Sequence, residues 1–335
     1  WDTLVGYPSS FYSITEMNDH HFHWGHFITG AAALTLHDPE WGNNELWGGA
    51  VRDLIRDAAN PLHDDASFPF LRNFDPYAGH SWASGHAAVF DQPFSVNNNR
   101  GEGNNHESSS EAIHFASSLI MFGEMTNNAS IRDLGIYLYT TESAAIYDYW
   151  FDVHDENWSE TYDYEVAGTI WSSGTHHGTW FSDRPEKKLG IQYLPIHGGS
   201  LHLGAHPDKI QAQYDEVVDL TGGTTLEWPG ILWSALALAN GQQASDIIDA
   251  NLDTYQVEEG ESRSYTYQWI KSLSGLGQLN TELTSTLTTS AAFDANGTTT
   301  YVAFNPSCTT KTVSFSDGTY FDVEPRVMST YQNGA

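Results

Sequence analysis

The stretch His106-Glu107-Ser108-Ser109-Ser110-Glu111-Ala112-Ile113-His114-Phe115-Ala116 decides how the rest of the chain is read. It follows a Gly/Asn-rich run (Gly101, Gly103, Asn104, Asn105) and opens an apolar segment, which predicts a helix from about Glu107 to Met125. On a helix, Glu107 and Glu111 are four residues apart and project from one face. Their repulsion costs about 0.2–0.5 kcal/mol, offset in part because a helix N-terminus favours negative charge. A solvated acidic first turn would account for the pair. A carboxylate pair at the mouth of a buried helix is also what acid–base chemistry on a sugar needs.

Outward from this stretch, apolar spacing predicts helices at Asp19–Leu36, with Asn18 or Asp19 as N-cap, and at Glu45–Ala59 and Ile131–Phe151. Further helices are expected near 207–220, 230–240, 242–252 and 263–277. Residues 60–106, with Pro61, Pro69, Pro76 and Pro93, and residues 152–190 read as long aromatic loops, which in compact domains are usually functional. Beyond Thr281 the pattern changes. Tyr301–Phe304, Thr312–Phe315 and Tyr320–Val323, with Asp317-Gly318 as a turn, predict a small antiparallel β unit. The Thr/Ser-rich run 281–300 reads as a connection or poor strand. The expected architecture is mainly α, with a helical domain over 1–280 and a β appendix over 281–335 packed on it.

Composition narrows the function. The 335 residues carry 13 Lys+Arg against 43 Asp+Glu, a net charge of −30. Such a field excludes nucleic acid or an anionic membrane as partner, and no apolar run is long enough for a transmembrane helix. With Cys308 alone there is no internal disulfide and no Cys-rich metal site. Few lysines and excess carboxylate suit a secreted protein, here expected to be a monomer. The chain opens at Trp1 without a signal-peptide pattern, as a processed or trimmed chain would. Phosphate-loop, dinucleotide and nucleophile-elbow motifs do not occur, so no cofactor is expected.

Three further segments carry candidate chemistry. Asn18-Asp19-His20-His21-Phe22-His23 places Asp19 and His23 on one helix face, suiting an acid–base role for Asp19 supported by His23. A zinc site built from His20, His21 and His23 is disfavoured because adjacent histidines diverge on a helix and His-Glu-x-x-His is absent; no metal is expected. Asn73 to Gly85 and Trp171 to Phe181 are rich in Gly and aromatic residues. They suit stacking platforms for sugar rings, although ordinary loop packing would use the same residues. Abundant rings, carboxylates and no cofactor motif point to a carbohydrate-active protein.

These residues resemble glycoside hydrolase family 81, the endo-acting β-1,3-glucanases. The matching stretches are Tyr7-Pro8-Ser9-Ser10-Phe11, Asp19 to His23, Asp75 to Ser84, Asn105 to Ala112, Thr179-Trp180-Phe181, Gly190 to Ile196 and Tyr301 to Asn305. The resemblance implies an (α/α)6 toroid-like helical barrel and hydrolysis of laminarin-type β-1,3-glucan with inversion. It implies Asp19 as general acid, Glu107 as general base, and Glu111 and His23 in support, with either glutamate able to reach the same face. Tyr77, His80, Trp82, Trp24, Trp171 and Trp180 are the candidates for lining the glucan groove. Asp19 must act protonated, so its pKa is expected to be raised by an apolar wall and by Glu107.

Departures concern His106, where the family usually has Gln, and Trp24 and His26, where it often has Tyr. Trp171-Ser172-Ser173-Gly174 also lacks an expected lysine. These bear on subsites more than on catalysis. Family members carry an upstream β-sandwich, and the pattern predicts about eight or nine helices against the twelve of a full toroid. The competing reading is a β-1,3-glucan-binding or elicitor-type protein with little activity. A lyase or hydrolase for acidic polysaccharide would need a more basic cleft.

Overall fold

The computed structural model describes residues 3–6, 8, 10–83, 104–223 and 227–333. Tyr7, Ser9, Ser84, Gly85, Pro93, Gly101 and Gly103, named above, lie outside them. The chain divides into two compact units, Trp1–Arg184 and Pro185–Ala335. Helices predominate, with small antiparallel sheets.

The first unit runs α1 (His20–His37), α2 (Gly49–Ala59), β1 (Phe74–Asp75), β2 (His80–Ser81), β3 (Asn105–His106), α3 (Ser109–Met125), α4 (Ala129–Ala145), β4 (Thr169–Trp171) and β5 (Gly174–His176). α1 buries His21, Trp24, Ile28, Ala31 and Thr35, a three-to-four spacing that turns one stripe inward. α3 is buried on most of its surface because it packs against both α1 and α4. Two glycines permit this. A Cβ on Gly25 of α1 would meet the Phe115 backbone at 3.1 Å, and one on Gly135 of α4 would meet the Ala116 carbonyl at 2.8 Å. The shared core includes Trp24, Ile28, Ile55, Phe115, Leu119, Phe122 and Leu138.

α3 starts later than its spacing suggests. Ser108 is the N-cap, with φ −106° and ψ 80°, so Glu107 lies before the helix and the two glutamates do not share a helical face. The buried His106, paired into β3 opposite Ile170, holds this backbone extended against helix propensity. α4 is capped by Asn128, whose side chain accepts from the Ile131 N–H, and runs on through a wider turn to Trp150.

The second unit contains α5 (Pro185–Gly190), a 3₁₀ segment (Gly198–Ala205), α6 (Pro207–Leu220), α7 (Pro229–Ala239), α8 (Gly241–Asn251) and α9 (Arg263–Leu276). α7 is apolar on every side and is packed by α6, α8 and α9. Then come β6 (Gln278–Leu279), β7 (Ser290–Ala295), β8 (Thr298–Phe304), β9 (Lys311–Ser314), β10 (Tyr320–Val323) and β11 (Met328–Gln332). One antiparallel sheet has the order β11-β8-β7-β6, while β9 and β10 form a hairpin around the expected turn at Gly318. β7 occupies part of the run expected to be a connection or poor strand. It joins β8 through a two-residue turn in which Asn296 (φ 51°) and Gly297 (φ 80°) both take left-handed backbone, as a type I′ hairpin requires.

Candidate active site

Asp19 occupies the N-cap position of α1 in left-handed backbone (φ 60°, ψ 16°), and its side chain makes no capping bond. Its carbonyl starts the helix by accepting the His23 N–H at 2.9 Å, while its own N–H donates to the Ala83 carbonyl at 2.7 Å. The carboxyl is therefore not used to cap the helix. Such backbone costs about 1–3 kcal/mol and persists where the surroundings over-determine it. The surroundings here centre on Asp57 of α2. Its buried carboxylate takes bonds from His20 Nδ1 (2.6 Å), Trp24 Nε1 (2.7 Å), Arg72 Nη2 (3.1 Å), Thr3 Oγ1 (2.6 Å) and the Leu4 N–H (3.0 Å). Arg72 also donates to the Met17 carbonyl, so both sides of Asp19 are held.

The Glu107 segment is tied to the same strand. The Ala83 N–H donates to the Asn105 carbonyl at 2.8 Å, so Ala83 bonds the Asp19 backbone with one peptide group atom and the Asn105 backbone with the other. β3 then pairs with β4, placing Asn105 opposite Trp171. Glu107 accepts the Trp180 N–H on Oε1 at 2.6 Å, and the Trp171 and Trp180 rings meet edge to face at 5.2 Å. Glu111, in the first turn of α3, sits 3.4 Å from His26 Nε2 of α1.

Burial raises both Asp19 and Glu107. Burial, then the charges of Glu111 and Glu107, raise the Asp19 pKa well above its ordinary value, against a bond from Asn18 that lowers it. Burial raises Glu107 to about 7, with the Trp180 N–H opposing and Glu111 adding to the shift. His23 is lowered, chiefly by burial, which favours the neutral imidazole. A protonated Asp19 can donate a proton, and a Glu107 that titrates near neutrality can accept one.

Of the aromatic candidates, Trp180 is 56 % exposed and Trp171 partly exposed, both beside Glu107. Tyr77 is fully exposed, and Trp82 is half-buried with Nε1 on Asp75 at 3.3 Å. Trp24 and His80 do not line a groove. Trp24 belongs to the core and spends its N–H on Asp57, and His80 is 2 % exposed with Nδ1 on the Ser81 carbonyl at 2.8 Å. Only 7 % exposed and packed in the core, Trp24 has no face open to a sugar. Sequence reasoning missed Asp57, Arg72, His26, Ser81 and Ala83. The signal for Asp57 was present: an acid on the apolar stripe Val51, Ile55, Ala58 of α2.

The His20–His23 run does not converge on a metal. His20 has both ring nitrogens engaged, by Asp57 and the Ser13 carbonyl. Among the described residues, His80, His106 and Glu142 bring ligand-type atoms within 4.8 Å of one another. Their bonds to one residue account for the grouping. Ser81 accepts from both histidine Nδ1 atoms on its carbonyl and gives its N–H and hydroxyl to Glu142.

Residues 5–270 match the model for the glycosyl hydrolase family 81 C-terminal domain. The chain belongs to glycoside hydrolase family 81. Among family relatives, glucan endo-1,3-beta-D-glucosidase of Thermobifida fusca is 42% identical over 98% of this chain and 42% of its own length. The protein of the same name from Acetivibrio thermocellus is 42% identical over 98% of this chain and 41% of its own. A solved family 81 structure from Clostridium thermocellum, a mutant form, superimposes with a TM-score of 0.92 at 41% identity, over 99% of this chain and 44% of that one. This chain thus spans less than half the length of these relatives. No described helix is long and apolar enough to cross a membrane.

Proposed function

We propose that the chain is the catalytic portion of an endo-acting β-1,3-glucanase that works with inversion. The observation that carries this reading is a pair of carboxyls, Asp19 and Glu107, both raised by burial, on segments that meet at Ala83, which bonds the Asp19 and Asn105 backbones. Asp19 protonates the glycosidic oxygen as the bond to the anomeric carbon breaks. Glu107 removes a proton from a water that attacks that carbon from the opposite face, so a β-linked polymer yields an α-anomeric end. Inverting enzymes keep the two carboxyls about 6.5–9.5 Å apart to leave room for this water. Trp180 and Trp171 flank the base and supply stacking faces. Glu111 and His23 support the charge balance.

The family names of the relatives support β-1,3-glucan as substrate. We further propose an (α/α)6 helical arrangement over 1–280 with 281–335 packed on it, action outside the cell as a monomer, and a requirement for an upstream β-sandwich. The alternative, a glucan-binding protein of little activity, would not need two buried carboxyls with raised pKa values.

Laminarin followed by NMR from the first minute tests the reading: initial α-anomer supports it, and β-anomer or no release on folded, glucan-binding protein overturns it. Glu107→Gln is expected to lower kcat by about 10²–10⁴-fold with oligosaccharide binding retained. Asp19→Asn should fail on natural linkages and keep activity on activated aryl glycosides. The acid limb of kcat/KM is expected at pH about 7, where Glu107 loses its proton. Glu111→Gln removes a charge that raises both Asp19 and Glu107, so both limbs should move to lower pH.

A further inference from the structure

Behind the proposed site, the first unit encloses a cavity of about 10 Å³, room for one water, lined by His21, Asn73, Ser81 and Glu142 among apolar side chains of α2, α3 and α4. The polar lining is under-bonded. Neither ring nitrogen of the fully buried His21 has a partner, and neither does Asn73 Oδ1. Asn73 gives its amide N–H groups to the Trp82 and Ala83 carbonyls, which leaves its oxygen for the cavity. Buried polar groups left in this state are costly, and a single water can satisfy two to four of them.

Glu142 completes the set. It is 2 % exposed and takes the Ser81 N–H (2.9 Å) and hydroxyl (3.1 Å). The titratable groups facing it are His21 from α1, His80 from β2 and His106 from β3, with Nδ1 of His106 3.6 Å away. All three imidazoles are lowered, chiefly by burial, and offer no positive charge; α2 and α3 present only apolar side chains to the cavity.

We propose that the cavity is a built site for one water bridging Glu142, His21 and Asn73, and that Glu142 is a positioning residue that fixes the segment from Ser81 to Ala83, which bonds the Asp19 and Asn105 backbones. Glu142 holds Ser81 by its N–H and hydroxyl. Ser81 in turn accepts His106 Nδ1 (2.5 Å) next to Glu107, and two residues on Ala83 binds the Asp19 and Asn105 backbones. The water carries the remaining hydrogen of the acid to His21, two residues from Asp19. Burial, which raises Glu142 to about 8 against the Ser81 bonds, agrees with the neutral form. The positioning role rests on the reading of Asp19 and Glu107 as acid and base; the water site does not.

The experiment compares Glu142→Gln and Glu142→Leu with the parent chain. Gln keeps an acceptor for Ser81 and a donor for the water, so its kcat should stay within about threefold, whereas Leu should lose about tenfold or more in kcat with KM little changed. A carboxylic-acid carbonyl band in the infrared at neutral pH, absent from Glu142→Gln, is expected, as is density for one water bonded to Glu142, His21 and Asn73 in a high-resolution crystal structure. A kcat for Gln as low as for Leu overturns the positioning role, as does a Leu variant that is folded and fully active. If Leu does not fold, the Gln result decides alone. A missing infrared band or missing density overturns the water site. If the parent chain releases no glucan ends, the functional reading fails, and the infrared and density results still test the site.

Discussion

Two buried carboxyls in the first unit, Asp57 and Glu142, have opposite fates. Burial pushes both up. At Asp57, bonds from His20, Thr3 and Trp24 and the charge of Arg72 outweigh burial and hold the pKa at about 2. At Glu142 only Ser81 opposes burial, and the pKa is about 8. The same chemical group is thus an anion behind α1 and a neutral acid behind β2. Donor count and a facing cation, not depth, set the state. Each one holds a different side of the proposed site: Asp57 fixes His20 beside Asp19, and Glu142 fixes Ser81 beside His106.

Removing the cation should break the contrast most severely. Arg72→Met leaves the Asp57 charge buried without its partner and is expected to cost about 3–5 kcal/mol in denaturant unfolding. The pH dependence should change with it. In the parent chain the folded pKa of Asp57 lies below its unfolded value of 3.8, so the stabilisation is present above about pH 4 and is lost as pH falls through about 2. In the variant that acid limb should shrink and move to higher pH, because the bonds from His20, Thr3 and Trp24 remain.

The Glu142 side has the opposite sign. Its folded pKa is raised from 4.5, so the parent loses stability as pH rises from about 4.5 to 8, by about 1.4 kcal/mol per unit at most, and is level above that. The difference in unfolding free energy between Glu142→Gln and the parent should grow across this window and stay constant beyond it.

Smaller changes sharpen the comparison. Trp24→Phe removes one charged hydrogen bond from Asp57, costs about 1.5–3 kcal/mol, and should raise the Asp57 pKa while leaving glucan affinity unchanged, because the indole is core. Ser81→Ala removes one of two donors from Glu142. It should cost about 1 kcal/mol and move the upper end of the Glu142 window to higher pH.

Much of the fold was legible. The helices at 207–220, 229–239, 241–251 and 263–276 lie within a residue or two of the expected spans, because each has Pro, Gly or Asn at one end or both and carries an apolar stripe or, in α7, an apolar run. β7 lies in the Thr/Ser-rich run that reads as a connection or poor strand, and Asn296-Gly297 between β-prone runs is a hairpin signal that favours the strand. Trp24 and His80 were misread because an aromatic residue in a sugar-like motif has the same identity whether its ring faces a groove or a buried carboxylate.

The sequence alone determined the chemistry available: the acidic balance, the aromatic loops, and Asp19, Glu107 and Glu111 in segments that resemble family 81. Periodicity placed the helices because it is a local property of the chain. The tertiary structure decided which charges survive burial and which backbones meet. That Glu107 stands outside α3, that Asp19 adopts left-handed backbone, and that Ala83 ties the Asp19 backbone to Asn105, two residues before Glu107, depend on hydrogen bonds between residues tens of positions apart. Such bonds leave no periodic trace in the sequence, since a backbone N–H or carbonyl is present at nearly every residue whatever its side chain.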